Sequence, residues 1–306
     1  MKLKNKKKAL VTGGAGFIGS HVVEQLLDLD FKVVVVDNES SDVHDHFYWR
    51  TNTENHKVDI CDYEKFSPLC KDVEVIFHLA AEARIQPTLV NPILAAQSNT
   101  VGTCCVLQAA RENGVKRVVY SSTSSAYGLK NPCPLKEDMP KDCLNPYSVT
   151  KTSGEELCKM YTNLFGLETV CFRYFNVYGE RQPLKGQYAP LIGIFFRQKS
   201  EGKPMTIVGD GTQRRDFTYV KDIARANILA ADLSNKKVVG ELMNLGTGTN
   251  HSVVEIKDLI GGDFVHIEAR QGEAKETLAD NNKAKQLLEW VPKQDFAEWV
   301  HQNKPK

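Results

Sequence analysis

Apolar residues come in short, β-branched runs separated by longer stretches of helical period through the first 175 residues of this 306-residue chain. The runs KALVT (8–12), KVVVVD (32–37), VEVIFHLA (73–80), KRVVYSS (116–122) and LETVCFRYF (167–175) are continuous rather than alternating. That pattern predicts strands of a parallel sheet covered on both faces. Residues 18–29, 93–113 and 147–165 predict the intervening helices, with Gly114 and Gly166 placed to cap the last two. Strand and helix in alternation predict an α/β fold, a doubly wound parallel sheet.

The texture changes after about residue 176. YGERQPLKGQYAP and VGDGTQRRDF are rich in Gly, Pro and charge and read as loops. Residues 222–233 predict a helix and GELMNLGTGTN (240–250) a strand and tight turn; NNKAKQLLEWVP predicts an amphipathic helix stopped by Pro292. The expected organisation is a large domain, 1–175 plus about 213–247, and a smaller C-terminal α/β domain, about 176–212 plus 248–306.

Composition narrows the function classes. Apolar content of 42% and charged content of 25% are ordinary for a globular chain. A net charge of +1 offers no electrostatic reason to expect nucleic acid or an anionic membrane surface as partner, and no apolar run is long enough to span a bilayer. In MKLKNKKKALVTGG the apolar run breaks at Thr12-Gly13-Gly14, too short for a secretory core, so the lysines read as a solvated lead-in to the first strand. The eight cysteines form no C-x-x-C pair and no zinc-like spacing with histidine. Reduced thiols and a cytoplasmic location are the expectation, with no metal. His78, at the end of a strand-like run, reads as structural. The His- and Asp-rich NESSDVHDHFYWRTNTENH reads as a solvated loop rather than a metal site.

Chemistry enters with TGGAGFIGSH, where Gly13, Gly16 and Gly19 lie between the first strand and the first helix. Glycines there allow a tight turn and bring backbone N–H groups to a pyrophosphate at the positive end of the helix. Asp37 ends the second strand 24 residues after Gly13, where its carboxylate suits the two hydroxyls of an adenosine ribose. Asn38 and Glu39 follow and supply no cation for a 2′-phosphate, so NAD is expected over NADP. Asp59, in VDICD, reads either as an acceptor for the adenine amino group or as an ordinary turn acid.

NPYSVTK (145–151) offers Asn145 as an N-cap and Pro146 at the first helical position, with Tyr147 and Lys151 one turn apart on one face. The strand VVYSS runs into TSSAYG about 24 residues earlier, so a hydroxyl, a phenol and an ammonium converge at the strand ends. A free tyrosine titrates near pH 10, so a base acting near neutrality needs about 4 kcal/mol of preferential stabilisation of its phenolate. A Lys151 ammonium and an oxidised nicotinamide both act in that direction.

With VTGGAGFIGSH, HLAAEA, YSSTSSAYG, NPYSVTK, RYFNVYGERQ, GDGTQRRDF and NLGTG, the chain resembles the extended short-chain dehydrogenase/reductases along essentially its whole length, and most of all their UDP-hexose 4-epimerases. The resemblance implies a Rossmann-type NAD domain and a smaller sugar-nucleotide domain. It implies Thr123, Tyr147 and Lys151 as the catalytic group. It extends the cofactor contacts from the glycines, Asp37, Asn38 and Asp59 to Phe17, Ile18, Ile60, Leu79, Ala80, Ala81, Asn99 and Tyr174. For the substrate it implies Arg84, Ser124, Ser125 and Asn176, the diphosphate-gripping pair Arg215 and Arg270, and Tyr188 beside the nucleotide. Surface ion pairing is the plainer alternative for the two arginines.

Branches of the family differ around Thr123. Dehydratases and decarboxylases of this resemblance carry carboxylates where this chain has Ser124 and Ser125, so those reactions are disfavoured. In epimerases restricted to non-acetylated sugars a tyrosine stands where this chain has Thr277. The small residue implies UDP-GlcNAc and UDP-GalNAc as substrates, with UDP-glucose and UDP-galactose as further candidates. A UDP-uronic acid 4-epimerase, a nucleotide-sugar 4-reductase and, more remotely, a non-catalytic NAD sensor are the rival readings. The resemblance also implies a homodimer through helices 93–113 and 147–165.

Overall fold

The computed structural model describes residues 7–44, 46–184, 190–268 and 274–306. Six strands, β1 (Lys8–Thr12), β2 (Lys32–Asp37), β3 (Glu54–Lys57), β4 (Val75–His78), β5 (Arg117–Thr123) and β6 (Glu168–Tyr174), join Leu242–Leu245 in a seven-stranded sheet. The order is Leu242–Leu245, β6, β5, β4, β1, β2, β3, and every neighbouring pair is parallel. The strand order reverses beside β1, which opens a crevice at the carboxyl edge. Register sets His78 beside Thr12 and Thr123 beside Tyr174 at that edge.

The continuous apolar runs have a direct cause. Ala9, Val11, Val33 and Val35 face one layer, with Val22 and Leu26 of helix α1 (Phe17–Asp28) and Ile223 of Val220–Ala230. Leu10, Val34 and Val36 face the other, with Val106 and Leu107 of Gly102–Glu112. A third core, including Phe195, Ile207, Phe217, Ile256 and Trp299, fills the C-terminal region. Ala284, Leu288 and Trp290, from the stretch expected in the smaller domain, pack instead into the first layer beneath the sheet. Among the described residues no helix is long and apolar enough to cross a membrane.

The segment expected as one helix over 93–113 is composite. Pro92–Ala95 and Gly102–Glu112 flank a wider, π-type turn at Ala96–Val101. A short helix, Ile85–Val90, precedes it and was not anticipated. The helix Pro146–Phe165 starts as its sequence suggests: Asn145 caps it, Ser148 completes a reciprocal capping box, and Gly166 ends it at φ 70°.

Behind that helix lies a buried ion pair. Arg173 of β6 donates through Nε and Nη2 to the Glu155 carboxylate at 2.9 Å each, and Ser122 Oγ donates to the same carboxylate at 2.6 Å. Breaking such a pair strands a charge in the interior. Glu155→Ala is expected to lower the unfolding free energy by about 3–5 kcal/mol, measured as a shift in the urea midpoint. Replacing both partners with apolar residues should cost less, and equal losses would show that the pair's charge is not the issue.

Candidate active site

The turn after β1 is shaped to take a pyrophosphate. Gly13 sits at φ 66°, and a Cβ there would fall 2.7 Å from the backbone nitrogen of Ala80. Helix α1 begins at Gly16 with no side chain capping it, so its first N–H groups are left for an anion. Asp37 accepts from the backbone N–H of Ala15 at 3.1 Å and of Glu39 at 2.9 Å. Burial pushes its carboxyl above the usual range, and those N–H groups pull against it. Lys57, paired in register with Asp37, is bound to the Glu39 carboxylate, which also accepts from Trp49 Nε1. The nearby cation is therefore neutralised, and the Asp37 carboxylate, an acceptor, fits a ribose diol rather than a 2′-phosphate. Asn38 Nδ2 donates to Asp59 at 3.0 Å.

The segment after Asp37 is a loop of exposed and half-buried residues, fastened down at several points. The N–H of Tyr48 donates to the carbonyl of Ala15 at 2.7 Å, and Arg50 and Arg181 both pair with Glu24 of α1. These ties fold the segment over the glycine turn, and His44 and Phe47 line the cavity there. The cavity, about 850 Å³, runs from the glycine turn across the strand ends into the C-terminal region.

At its centre Thr123, Tyr147 and Lys151 come together, with Ser124 and Ser125 beside them. The Tyr147 hydroxyl bonds to the Thr123 side chain. Lys151 is only 2% exposed, its ammonium 4.4 Å above the Tyr120 ring. Burial lowers its pKa to about 7, opposed in part by Glu155 one turn further along the helix. Burial raises the pKa of Tyr147; the Thr123 hydrogen bond and the positive charge of Arg84 work against that rise. His78 is wholly buried between the hydroxyls of Thr12 and Thr103 at 2.8 and 2.9 Å, and burial lowers its pKa to about 3, so it is a neutral structural link.

The remaining expected residues fall out unevenly. Of the residues expected at the cofactor, Gly13, Gly16, Phe17, Ile18, Gly19, Asp37, Asn38, Asp59, Ile60, Leu79, Ala80, Ala81 and Tyr174 line the cavity, and of those expected at the substrate Arg84, Asn176, Arg215 and Thr277 do. Tyr174 exchanges hydrogen bonds with Asn227, which fixes its hydroxyl. Asn99 lies behind the wall rather than in it: its carboxamide is spent on the backbone of Glu82 and on Thr150 Oγ1. Tyr188 and Arg270 lie outside the described residues.

One organising residue was not read from the sequence. Asp216, fully buried, accepts from Thr247 N–H and Oγ1, Gly248 N–H and Ala279 N–H, at 2.7–3.1 Å. It ties the NLGTG turn and the chain around Thr277 to its neighbour Arg215. The signal was an acid beside two arginines in a glycine-rich stretch, and its three partner residues lie far off in sequence.

With this geometry the comparisons agree. The model of the NAD dependent epimerase/dehydratase family matches residues 9–246, and the chain belongs to that family. A protein of Methanocaldococcus jannaschii described as a putative UDP-glucose 4-epimerase is 37% identical over 95% of both chains. A UDP-glucose 4-epimerase structure from Thermotoga maritima, with UDP-glucose, is 34% identical with TM-score 0.90 over 96% of both chains. A UDP-N-acetylglucosamine 4-epimerase from Methanobrevibacter ruminantium, in complex with UDP-N-acetylmuramic acid, is also 34% identical with TM-score 0.90, covering 97% of this chain and 96% of that one. Within its family, the chain is an NAD-dependent UDP-sugar 4-epimerase.

Asp37→Ala removes both acceptor oxygens of the expected ribose contact. The NAD carried through purification is expected to fall about tenfold or more, as loss of charged hydrogen bonds implies, measured by chromatography of nucleotide released on denaturation. An unchanged NAD content would take Asp37 out of the cofactor site.

Proposed function

We propose that the substrates are UDP-GlcNAc and UDP-GalNAc, with UDP-glucose and UDP-galactose turned over in the same site. The observation that carries this reading is Thr277. Its hydroxyl takes bonds of 3.4 Å from Asn176 Nδ2 and from the backbone N–H of Asp216, which leaves a small, fixed side chain on the cavity wall. A residue of that size leaves room for a 2-acetamido group, and the Ser124 and Ser125 hydroxyls stand ready to bond it.

Each chain group has a separate task in the reaction. Tyr147 removes the proton of the sugar 4-OH and later returns it. Thr123 holds the same oxygen, and Lys151, when protonated, favours the phenolate and holds the nicotinamide ribose. The glycine turn and Asp37 would hold NAD, which would supply the reversible hydride acceptor for C4 of the sugar. Arg215 neutralises the diphosphate, and Asn176 positions the sugar. Substrate and product share one oxidation level, so nothing is consumed.

The test is to incubate purified protein, without added NAD, with each of the four UDP sugars and separate the products. Interconversion of the acetylated pair supports the reading; net consumption of NADH, or inertness toward all four, overturns it. Thr277→Tyr is expected to cut turnover of the acetylated pair at least about a hundredfold, about 3 kcal/mol, and to spare the plain hexoses. An equal fall in both pairs would remove Thr277 as the gate.

We also infer a homodimer. Val90 is 82% exposed, Ile93 71% and Leu164 70%, and Val101 and Val149 are about half exposed, on the helices around Ile85–Glu112 and Pro146–Phe165. Apolar side chains concentrated on neighbouring helices ask for a cover, and a second copy supplies it. Light scattering on the eluting protein should give twice the chain mass, and Ile93→Asp with Leu164→Asp should give the monomer. A monomeric parent would refute the inference.

A further inference from the structure

The cavity holds a cation that the reaction as described leaves without a task. Arg84 caps the helix Ile85–Val90, which packs against Pro146–Phe165. Its loop is anchored at the level of the reacting groups. Asn99 Oδ1 accepts from the Glu82 N–H at 2.8 Å, and Asn99 Nδ2 donates to the Glu82 carbonyl at 3.1 Å and to Thr150 Oγ1 at 2.9 Å. Thr150 lies between Tyr147 and Lys151 on the same helix. The spacing between the Arg84 loop and Tyr147 is thus set by a buried carboxamide.

We propose that Arg84 is a positioning residue for proton transfer: a permanent cation facing the Tyr147 phenol, which shares with Lys151 the work of favouring the phenolate. This rests on Tyr147 being the acid–base group. Guanidinium suits the task because it stays charged across the working pH range. Lys151 does not, since burial brings its pKa to about 7.

The other groups packed around Tyr147 do not supply this charge. Thr123, Ser124 and Ser125 at the end of β5 are neutral. His78 of β4 is neutral, lowered to about 3 by burial. Tyr120, beneath Lys151, is raised well above its ordinary value by burial and stays a phenol. Glu82, two residues before Arg84, is an acid and supplies no positive charge; burial and the charges of Asp42 and Asp59 raise its pKa. Glu155 lies two turns from Tyr147 and is bound to Arg173. Arg84 and Tyr147 each register the other's charge, Arg84 lowering the phenol and Tyr147 raising the guanidinium, although burial is the larger influence on both.

The experiment uses NAD-loaded enzyme and whichever of the four UDP sugars is turned over. Rates are measured from acid to alkaline pH for the parent, Arg84→Gln and Arg84→Lys. Activity rises with pH as Tyr147 becomes phenolate, so loss of the cation moves the acid limb of kcat/KM to higher pH. A shift of about one pH unit is expected for Arg84→Gln. That is about a tenfold loss below the limb that narrows as pH rises through it, with Arg84→Lys recovering most of the difference. Ultraviolet difference titration of the same proteins, without substrate, should show the phenolate signal that Tyr147→Phe abolishes moving by the same amount. A loss uniform across pH, or an unmoved limb and phenolate signal, overturns the proposal and leaves Arg84 a substrate contact or loop anchor. Parent-like activity in Tyr147→Phe would instead overturn Tyr147 as the acid–base group.

Discussion

A buried ammonium is the constraint around which this site is built. Lys151 sits at the floor of the cavity, where removal from water disfavours its charge by several kcal/mol unless neighbours oppose it. They oppose it in layers. The Tyr120 ring presents its negative face from below, and the Tyr120 hydroxyl donates to the Lys151 carbonyl at 3.0 Å, pinning the helix to β5. Gly154 makes that closeness possible, since a Cβ there would lie 2.2 Å from the Tyr120 hydroxyl. One turn beyond Lys151, Glu155 is held as a carboxylate by Arg173, Ser122 and Lys141. The helix thus carries phenol, ammonium and carboxylate at successive turns, from the reacting atom into the core.

The cofactor end follows a different logic, that of retention. An isomerase that oxidises and then reduces the same carbon loses its catalyst if the dinucleotide leaves between the two halves. The glycine turn supplies donors, but an open turn would also permit exchange. In this chain the segment after Asp37 folds back over that turn, through Tyr48 to Ala15 and through the shared pairing of Arg50 and Arg181 with Glu24. Arg181 belongs to the loop that follows β6, so cover, helix α1 and the start of the substrate region are fastened at one acid.

Much of this was legible in the chain, for identifiable reasons. Parallel strands buried on both faces leave continuous apolar runs, so β1 and β2 are readable to the residue. The glycines, Asp37 and the tyrosine–lysine pair are local patterns whose spacing carries their geometry. What stayed hidden depends on partners distant in sequence. Nothing near Asp216 shows that it will hold residues 247, 248 and 279. Asn99 is a polar residue in a helical stretch, and only the π-type turn and the neighbouring helix show that its amide works inside the wall. The His- and Asp-rich segment is solvated by composition; that it is fastened in place comes from pairing with an acid twenty or more residues away. The composite character of residues 92–112 also escapes a periodicity argument, because one widened turn barely changes the apolar spacing.

The same physical balance explains why the phenol is not simply driven to its ionised form. In the proposed mechanism Tyr147 takes a proton in one half of the reaction and returns it in the other. A strongly acidic phenol would be ionised but too weak a base to take the sugar proton; an ordinary phenol would stay protonated and have no site to receive it. The best compromise lies where both forms are accessible near the working pH. Burial pushes Tyr147 one way, and the Thr123 bond and the Arg84 charge push the other. Lys151 adds a cation that is itself near its midpoint. A reversible reaction between sugars of equal oxidation level calls for such opposition, because neither direction can be favoured at the expense of the other without slowing both.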